Sequence, residues 1–336
     1  MLRKSYILIV FVVAIIATSC VTTHKVDFEV MWPAKAQIPP HIRHLTLVNN
    51  TLLKQSDSMG TFYGFQDKLY YDTTRIDTML SMSALDGLAA KLTETDRYTL
   101  SSNPVIVPLK DTSEMRKPML PEVLGLITPD ETEGVVVLES ISTYDQVDYY
   151  YGFNDVVNAQ LTVLAASAWR MYDLTEKRIV DRWVYIDTLR FYGDGYTVNS
   201  ALNPLPGRYE SLRRVALAAG ERYSMQISPF WLSVSRLYLS DKSGGMEKGR
   251  LAAEADQWET ASAEWQKLTE NKSNRRAAMA CFNMAVASEV LGNLVMARYW
   301  LDKSVAIKQL PQAARYNAAL KIREKNLEVL KRQFGE

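Results

Sequence analysis

The chain has little of what most catalytic and metal centres are built from. Its 336 residues include two cysteines, Cys20 and Cys281, and three histidines, His24, His41 and His44. If Cys20 is itself modified, Cys281 has no partner, so no disulfide framework is expected. His41 and His44 have no acid or cysteine beside them at ligand spacing, so neither a metal nor a cofactor is expected. Charge of one sign is missing as well, with 39 Lys+Arg against 38 Asp+Glu. Without a broad basic field, nucleic acid is not an expected partner. GxxxxGK[ST], GxGxxG, GxSxG and HExxH are all absent, so the chemistries those motifs carry have no foothold here. The sequence therefore points away from an enzyme.

The longest apolar run is "YILIVFVVAII", Tyr6 to Ile16. It is about half the ~20 residues that a membrane-spanning helix needs. Arg3 and Lys4 precede it and "ATS" follows, which is the layout of a secretory signal over residues 1–19. Removing that segment takes Arg3 and Lys4 with it and leaves 37 basic against 38 acidic residues. The segment resembles a bacterial lipoprotein signal, whose small residues precede a cysteine that becomes the lipid-bearing first residue. Ala17 stands where such signals prefer Leu, and the looser "SC" ending is similar to lipoproteins of the Bacteroidetes. The resemblance implies attachment to a lipid bilayer through an acylated Cys20. Several acyl chains, at about 0.8 kcal/mol per buried CH₂, would hold the chain firmly. Asp does not follow Cys20, and no acidic cluster occurs in "CVTTHKV"; by the same resemblance the chain is placed in the outer membrane, facing the periplasm.

Residues 20–40 show three prolines and no periodicity strong enough to assign, and read as a tether. An α/β or α+β domain is expected over 41–240. "HIRHLTLVNNT" and "EGVVVLESI" read as buried strands, and "SMSALDGLAAKLTET" as a helix capped by Ser81 or Ser83. "MLPEVLGLI" reads as a short helix opened by Pro121. "NAQLTVLAASAWRMYD" and "RIVDRWVYIDTLRFY", separated by "LTEK", predict a long antiparallel hairpin. Its second strand should place Ile179, Asp181, Trp183, Tyr185 and Asp187 on one face. Asp181 and Asp187 are then about 20 Å apart at ~3.3 Å per residue, too far to share an acid–base step, and read as solvated or locally paired. "RYESLRRVALAAGERYSMQI" has Leu212, Val215, Ala216, Ala219 and Tyr223 at helical spacing.

Gly244 and Gly245 mark a boundary, beyond which 246–334 is rich in Ala, Glu, Lys, Leu and Arg and nearly free of Pro and Gly. Within it "DQWETASAEWQKL" and "GNLVMARYWLDKS" align, with Asp256 over Gly292, Ala261 over Ala297 and Trp265 over Leu301. Ala285 adds a further small position. This spacing resembles the tetratricopeptide repeat, a helix pair recurring about every 34 residues. The resemblance implies close helix approach at the alanines, a tight turn at Gly292 and a concave partner-binding surface. So few repeats need further support, and the last helix should supply it with Tyr316, Leu320, Leu327 and Leu330 toward the core.

"YDQVDYYYGFND", residues 144–155, concentrates aromatic rings in what reads as a loop. Tyr149, Tyr150, Tyr151 and Phe153 are its candidate ligand contacts, for a glycan or a peptide, against the simpler reading of a partly packed edge. Cys281 reads as a buried apolar residue. Taken together, the strands "HLTLVNN" and "EGVVVLESI", the hairpin and the carboxy-terminal helices resemble an uncharacterised Bacteroidetes lipoprotein family that pairs such an α/β domain with tetratricopeptide-like helices. More distantly, the domain is similar to that of curli-secretion lipoproteins and to the amino-terminal domain of the Tol-system propeller protein. The expectation is a non-enzymatic envelope lipoprotein that binds another envelope protein, with a glycan- or peptidoglycan-binding lipoprotein as the alternative.

Overall fold

The computed structural model describes residues 21–51, 62–71, 76–101, 104–106 and 132–336. The export segment, Cys20 and the helix expected over "MLPEVLGLI" lie outside the described residues. No helix among the described residues is long and apolar enough to cross a membrane. The chain divides into an α/β unit, residues 32–230 with 330–336, and a helical unit, residues up to 31 with 231–329.

The first element corrects the expected tether: Thr22–Trp32 is strand β1. Val26, Phe28 and Val30 point inward and alternate with exposed Lys25, Asp27 and Glu29, the period of two that a half-buried strand requires. The prolines that suggested a tether, Pro33, Pro39 and Pro40, all lie beyond it.

Eight strands form the sheet of the α/β unit: β2 (His44–Asn49), β3 (Phe62–Phe65), β4 (Lys68–Tyr71), β5 (Thr99–Leu100), β6 (Val105–Ile106), β7 (Gly134–Tyr151), β8 (Val157–Asp173) and β9 (Arg178–Gly195). β2 and β3 run parallel to the first and second halves of β7, and β8 runs antiparallel along its length. β8 and β9 make the long hairpin read from the sequence. In the turn between them, Asp173 Oδ1 accepts hydrogen bonds from the Thr175 and Glu176 amides.

Every second residue of β8 from Val157 to Met171 is buried. Helices α1 (Asp77–Leu92) and α3 (Arg208–Ile227) cover that face; the short α2 (Val198–Leu202) lies between β9 and α3 in sequence. α3 buries Leu212, Val215, Ala216, Ala219 and Tyr223, and the Tyr223 ring stacks on Trp169 at 4.9 Å. Each fully buried side chain of this size contributes roughly 1.5–3 kcal/mol. Two expectations fail in detail. Ser81 and Ser83 lie inside α1 rather than capping it, because the apolar stripe starts earlier, at Ile76 and Leu80. A register shift between Met171 and Tyr172 removes Ile179 from the face of Asp181 and Trp183. Ile179 packs instead with Val48, Val135 and Val137, since one extra residue reverses a strand's faces.

The helical unit also contains a two-stranded sheet of β1 and β10 (Phe230–Ser240). The unit's second segment therefore begins at Trp231, 13 residues before Gly244 of the expected boundary. Its helices are α4 (Gly244–Glu254), α5 (Trp258–Gln266), α6 (Asn274–Val290), α7 (Leu294–Ile307) and α8 (Pro311–Phe334). Tyr316 and Leu320 are buried, but Leu327 is exposed, a correction to the expected face of α8.

Cys281 is fully buried on α6, and that burial pushes its thiol pKa up to about 11. Only the thiolate reacts. With the export cysteine changed to serine, the folded chain is expected to resist a thiol-reactive dye at pH 8 and to react fully in denaturant. Fast labelling of the native chain would contradict this burial.

Candidate functional site

The sheet's second face is the one α1 and α3 leave. Because side chains alternate along each strand, pairing across β7, β8 and β9 places Ser140, Ala168 and Val184 in one outward row and Ser142, Ala166 and Ile186 in the next. Tyr144, Leu164 and Thr188 follow. Val184 and Ile186 are 76% and 59% exposed, in the middle of a strand. Among the described residues β9 pairs only with β8, so no described strand covers its other edge.

The inward face of β9 is tied down. Asp187 is buried and accepts from Arg222 Nε at 2.9 Å. Desolvation raises its pKa, and Arg222 opposes that rise. Asp181 accepts from the Tyr223 hydroxyl and the Gln226 amide, each at 3.0 Å. Asp145 of β7 is likewise buried and is held through two oxygens by Arg208. These carboxylates fasten strands to α3, and the two on β9 are paired rather than solvated.

The aromatic segment sits at one end of the same three strands. Tyr144 to Tyr151 belong to β7, and only the residues around Gly152–Val156 form a turn, where Asn154 and Asp155 take φ of 58° and 57°. The expected loop is thus mostly strand. Tyr149 is half-buried against Val157 and Ala201, and its ring meets Tyr151 edge-on at 6.4 Å. Tyr150, Tyr151 and Phe153 are exposed, Phe153 to 89%. Tyr192, also exposed, lies on the outward face one row from Tyr150, with Asn158 and Gln160 on the strand between. The sequence reading missed Tyr192, which only strand pairing brings near.

In the helical unit Ala261, Trp265, Ala285, Ala297 and Leu301 are all buried in one core. Gly292 lies in the α6–α7 turn at φ 81°. Asp256, the residue aligned with it, takes φ 58° in the α4–α5 turn. Both turns have three residues, 255–257 and 291–293, with the left-handed one in the middle. The two helix pairs therefore share one turn geometry as well as a sequence pattern. Among the described residues the grouping with metal-ligand chemistry is His41, Asp173 and Glu176, whose ligand atoms lie within 4.8 Å of one another. His41 precedes β2, whereas Asp173 ends β8 and Glu176 lies in the β8–β9 turn.

Two family models match the chain. One, described as Domain of unknown function (DUF8603), covers residues 42–239. The other, Domain of unknown function (DUF6340), covers 247–324. No curated protein matches the sequence. Solved structures with partial likeness include the PelC dodecamer from Paraburkholderia phytofirmans, at 9% identity, 59% of this chain, 96% of that one and TM-score 0.24. A Xanthomonas campestris protein with the DUF330 family model has 7% identity, 57% and 84% coverage and TM-score 0.23. A proposed lipoprotein from Caulobacter crescentus has 10% identity, 50% and 86% coverage and TM-score 0.19. Likeness at these scores carries no argument about fold or activity.

Proposed function

The chain belongs to the DUF8603 family, and we propose that it is a non-enzymatic, lipid-anchored envelope protein that binds another envelope protein through the outward face and free edge of β9. The observation that supports this most is the pair Val184 and Ile186, exposed side by side on an 18-residue edge strand. Apolar side chains beside unpaired backbone groups are what strand addition by a partner uses: the edge supplies hydrogen bonds, the face apolar contact. The signal-like run before Cys20 supports the anchor, and the residues after Cys20 support an outer-membrane, periplasm-facing placement. The shared turns of the two helix pairs support a tetratricopeptide-like reading of 246–334, which would offer a second protein surface.

A second reading has its own observation. Exposed Tyr150 and Tyr192 share the outward face with the amides of Asn158 and Gln160 on the strand between, and Tyr151 and Phe153 are exposed at the same end of the strands, a mixture of flat rings and polar tips that suits a glycan. One experiment separates the two. A photo-crosslinking residue is placed at Val184, at Ile186, or at Phe153 in the lipid-anchored protein in native membranes, with Cys20→Ala as the anchoring control. Adducts of one defined envelope protein from 184 and 186, lost with Cys20→Ala, are expected. Absence of protein adducts there, together with saccharide adducts at 153, would replace the first reading by the second.

A further inference from the structure

We propose that His41, Asp173 and Glu176 are three ligands of a divalent transition-metal ion of the zinc class. The site stands whether or not the envelope reading holds, because it rests on the geometry of the α/β unit alone.

One buried carboxylate oxygen here accepts no hydrogen bond. The Asp173 side chain is fully buried, and its Oδ1 takes two backbone N–H groups of the β8–β9 turn. Oδ2 receives no hydrogen bond. His41 Nε2 stands 3.0 Å from it, within ion-pair distance but without hydrogen-bond geometry. A buried carboxylate oxygen without a donor is costly, and such atoms call for an explanation. Two donor atoms this close also suit neighbouring ligands of one ion. Donors each about 2.1 Å from an ion lie roughly 3.0 Å apart at a right angle and roughly 3.4 Å apart at the tetrahedral angle.

Glu176 completes the set, with all three ligand atoms within 4.8 Å of one another. Its Oε2 accepts from Arg178 Nε at 2.5 Å, but both side chains are about half exposed, and solvent-screened pairs of this kind hold weakly. Glu176 offers one carboxylate oxygen to the ion. Two carboxylates beside one arginine leave net negative charge, which a divalent cation balances. One imidazole nitrogen with two carboxylate oxygens suits zinc-like ions better than magnesium or calcium, which favour oxygen alone. The exposed sides of His41 and Glu176 leave the remaining positions to water. An ion here would tie the turn before β2 to the β8–β9 turn and close a long stretch of chain.

The test uses the full chain in detergent, without a histidine tag, stripped by chelator and dialysed against Zn²⁺. One ion per chain is expected. His41→Ala and Glu176→Gln, both at exposed positions, should each weaken binding about a hundredfold, at least as much as losing an outer-shell partner. Asp173→Asn should do the same while keeping the turn's hydrogen bonds; if it fails to fold, the other two variants decide. His24→Ala should change nothing. Co²⁺ in place of Zn²⁺ should give visible absorption bands that His41→Ala abolishes. Retention of no ion, or binding as tight in His41→Ala and Glu176→Gln as in the parent chain, would overturn the site. Displacement of Zn²⁺ by equimolar Mg²⁺ or Ca²⁺ would overturn its class.

Discussion

Replacing Arg236 by alanine is expected to destabilise the helical unit by about 3–5 kcal/mol, the range for removing one partner of a buried ion pair. Arg236 lies on β10, and its Nε and Nη2 each donate at 2.8 Å to one oxygen of Glu289 on α6. The Glu289 side chain is fully buried, and that of Arg236 is only 11% exposed. Arg323 of α8 is the nearest other cation, with its Nε 3.6 Å from the carboxylate and without a hydrogen-bond partner. It cannot replace the two-point contact. The loss comes from the charge left behind, since the pair itself offsets a large desolvation cost and adds little net stability. Replacing both residues together, Arg236→Leu with Glu289→Leu, should therefore recover most of the loss. Urea denaturation of the three proteins measures it. A double variant as unstable as Arg236→Ala would show that packing around β10, rather than the stranded carboxylate, sets the penalty.

This pair was invisible in the sequence, and the reason is general to the chain. What could be read was whatever repeats along one element. The long hairpin follows from alternation in "RIVDRWVYIDTLRFY", and α3 follows from Leu212, Val215, Ala219 and Tyr223. The helix-pair alignment followed from recurring small residues, and the matching turns at Asp256 and Gly292 give it a structural counterpart. What could not be read was whatever two distant elements make together. β1 alternates as clearly as β9, but its partner β10 is some two hundred residues away, and nearby prolines suggested a tether. Tyr192 reaches the aromatic end only through the pairing of β8 with β9. His41 looked isolated because its acids, Asp173 and Glu176, arrive from the far end of the domain. A motif search looks along the chain, whereas this site would be assembled across the sheet.

Gly220→Ala is expected to lower the stability of the α/β unit by about 2–4 kcal/mol, against a helix-propensity preference of up to ~1 kcal/mol for alanine. A Cβ at Gly220 of α3 would overlap the backbone oxygen of Ala84 on α1 and come within 2.7 Å of the Leu88 nitrogen. On the facing helix, a Cβ at Gly87 would overlap the backbone of Leu217. The two helices thus meet backbone to backbone, and no side chain can swing aside to make room. Added volume must push α3 away from α1 and open space around Leu85, Leu88, Leu212 and Val215, all fully buried. For a unit of this size the melting temperature should fall by roughly 5–15 °C. Gly207→Ala is the control, because nothing lies within 4 Å of a Cβ there; it should melt within about a degree or two of the parent, as expected for loss of a glycine N-cap. Equal melting of Gly220→Ala and the parent would mean that the helices do not touch at this point. A large loss confined to Gly220→Ala would show that α1 and α3 form one rigid layer on the sheet's inward face, the layer that holds Asp181 and Asp187 inward and so turns Val184 and Ile186 outward.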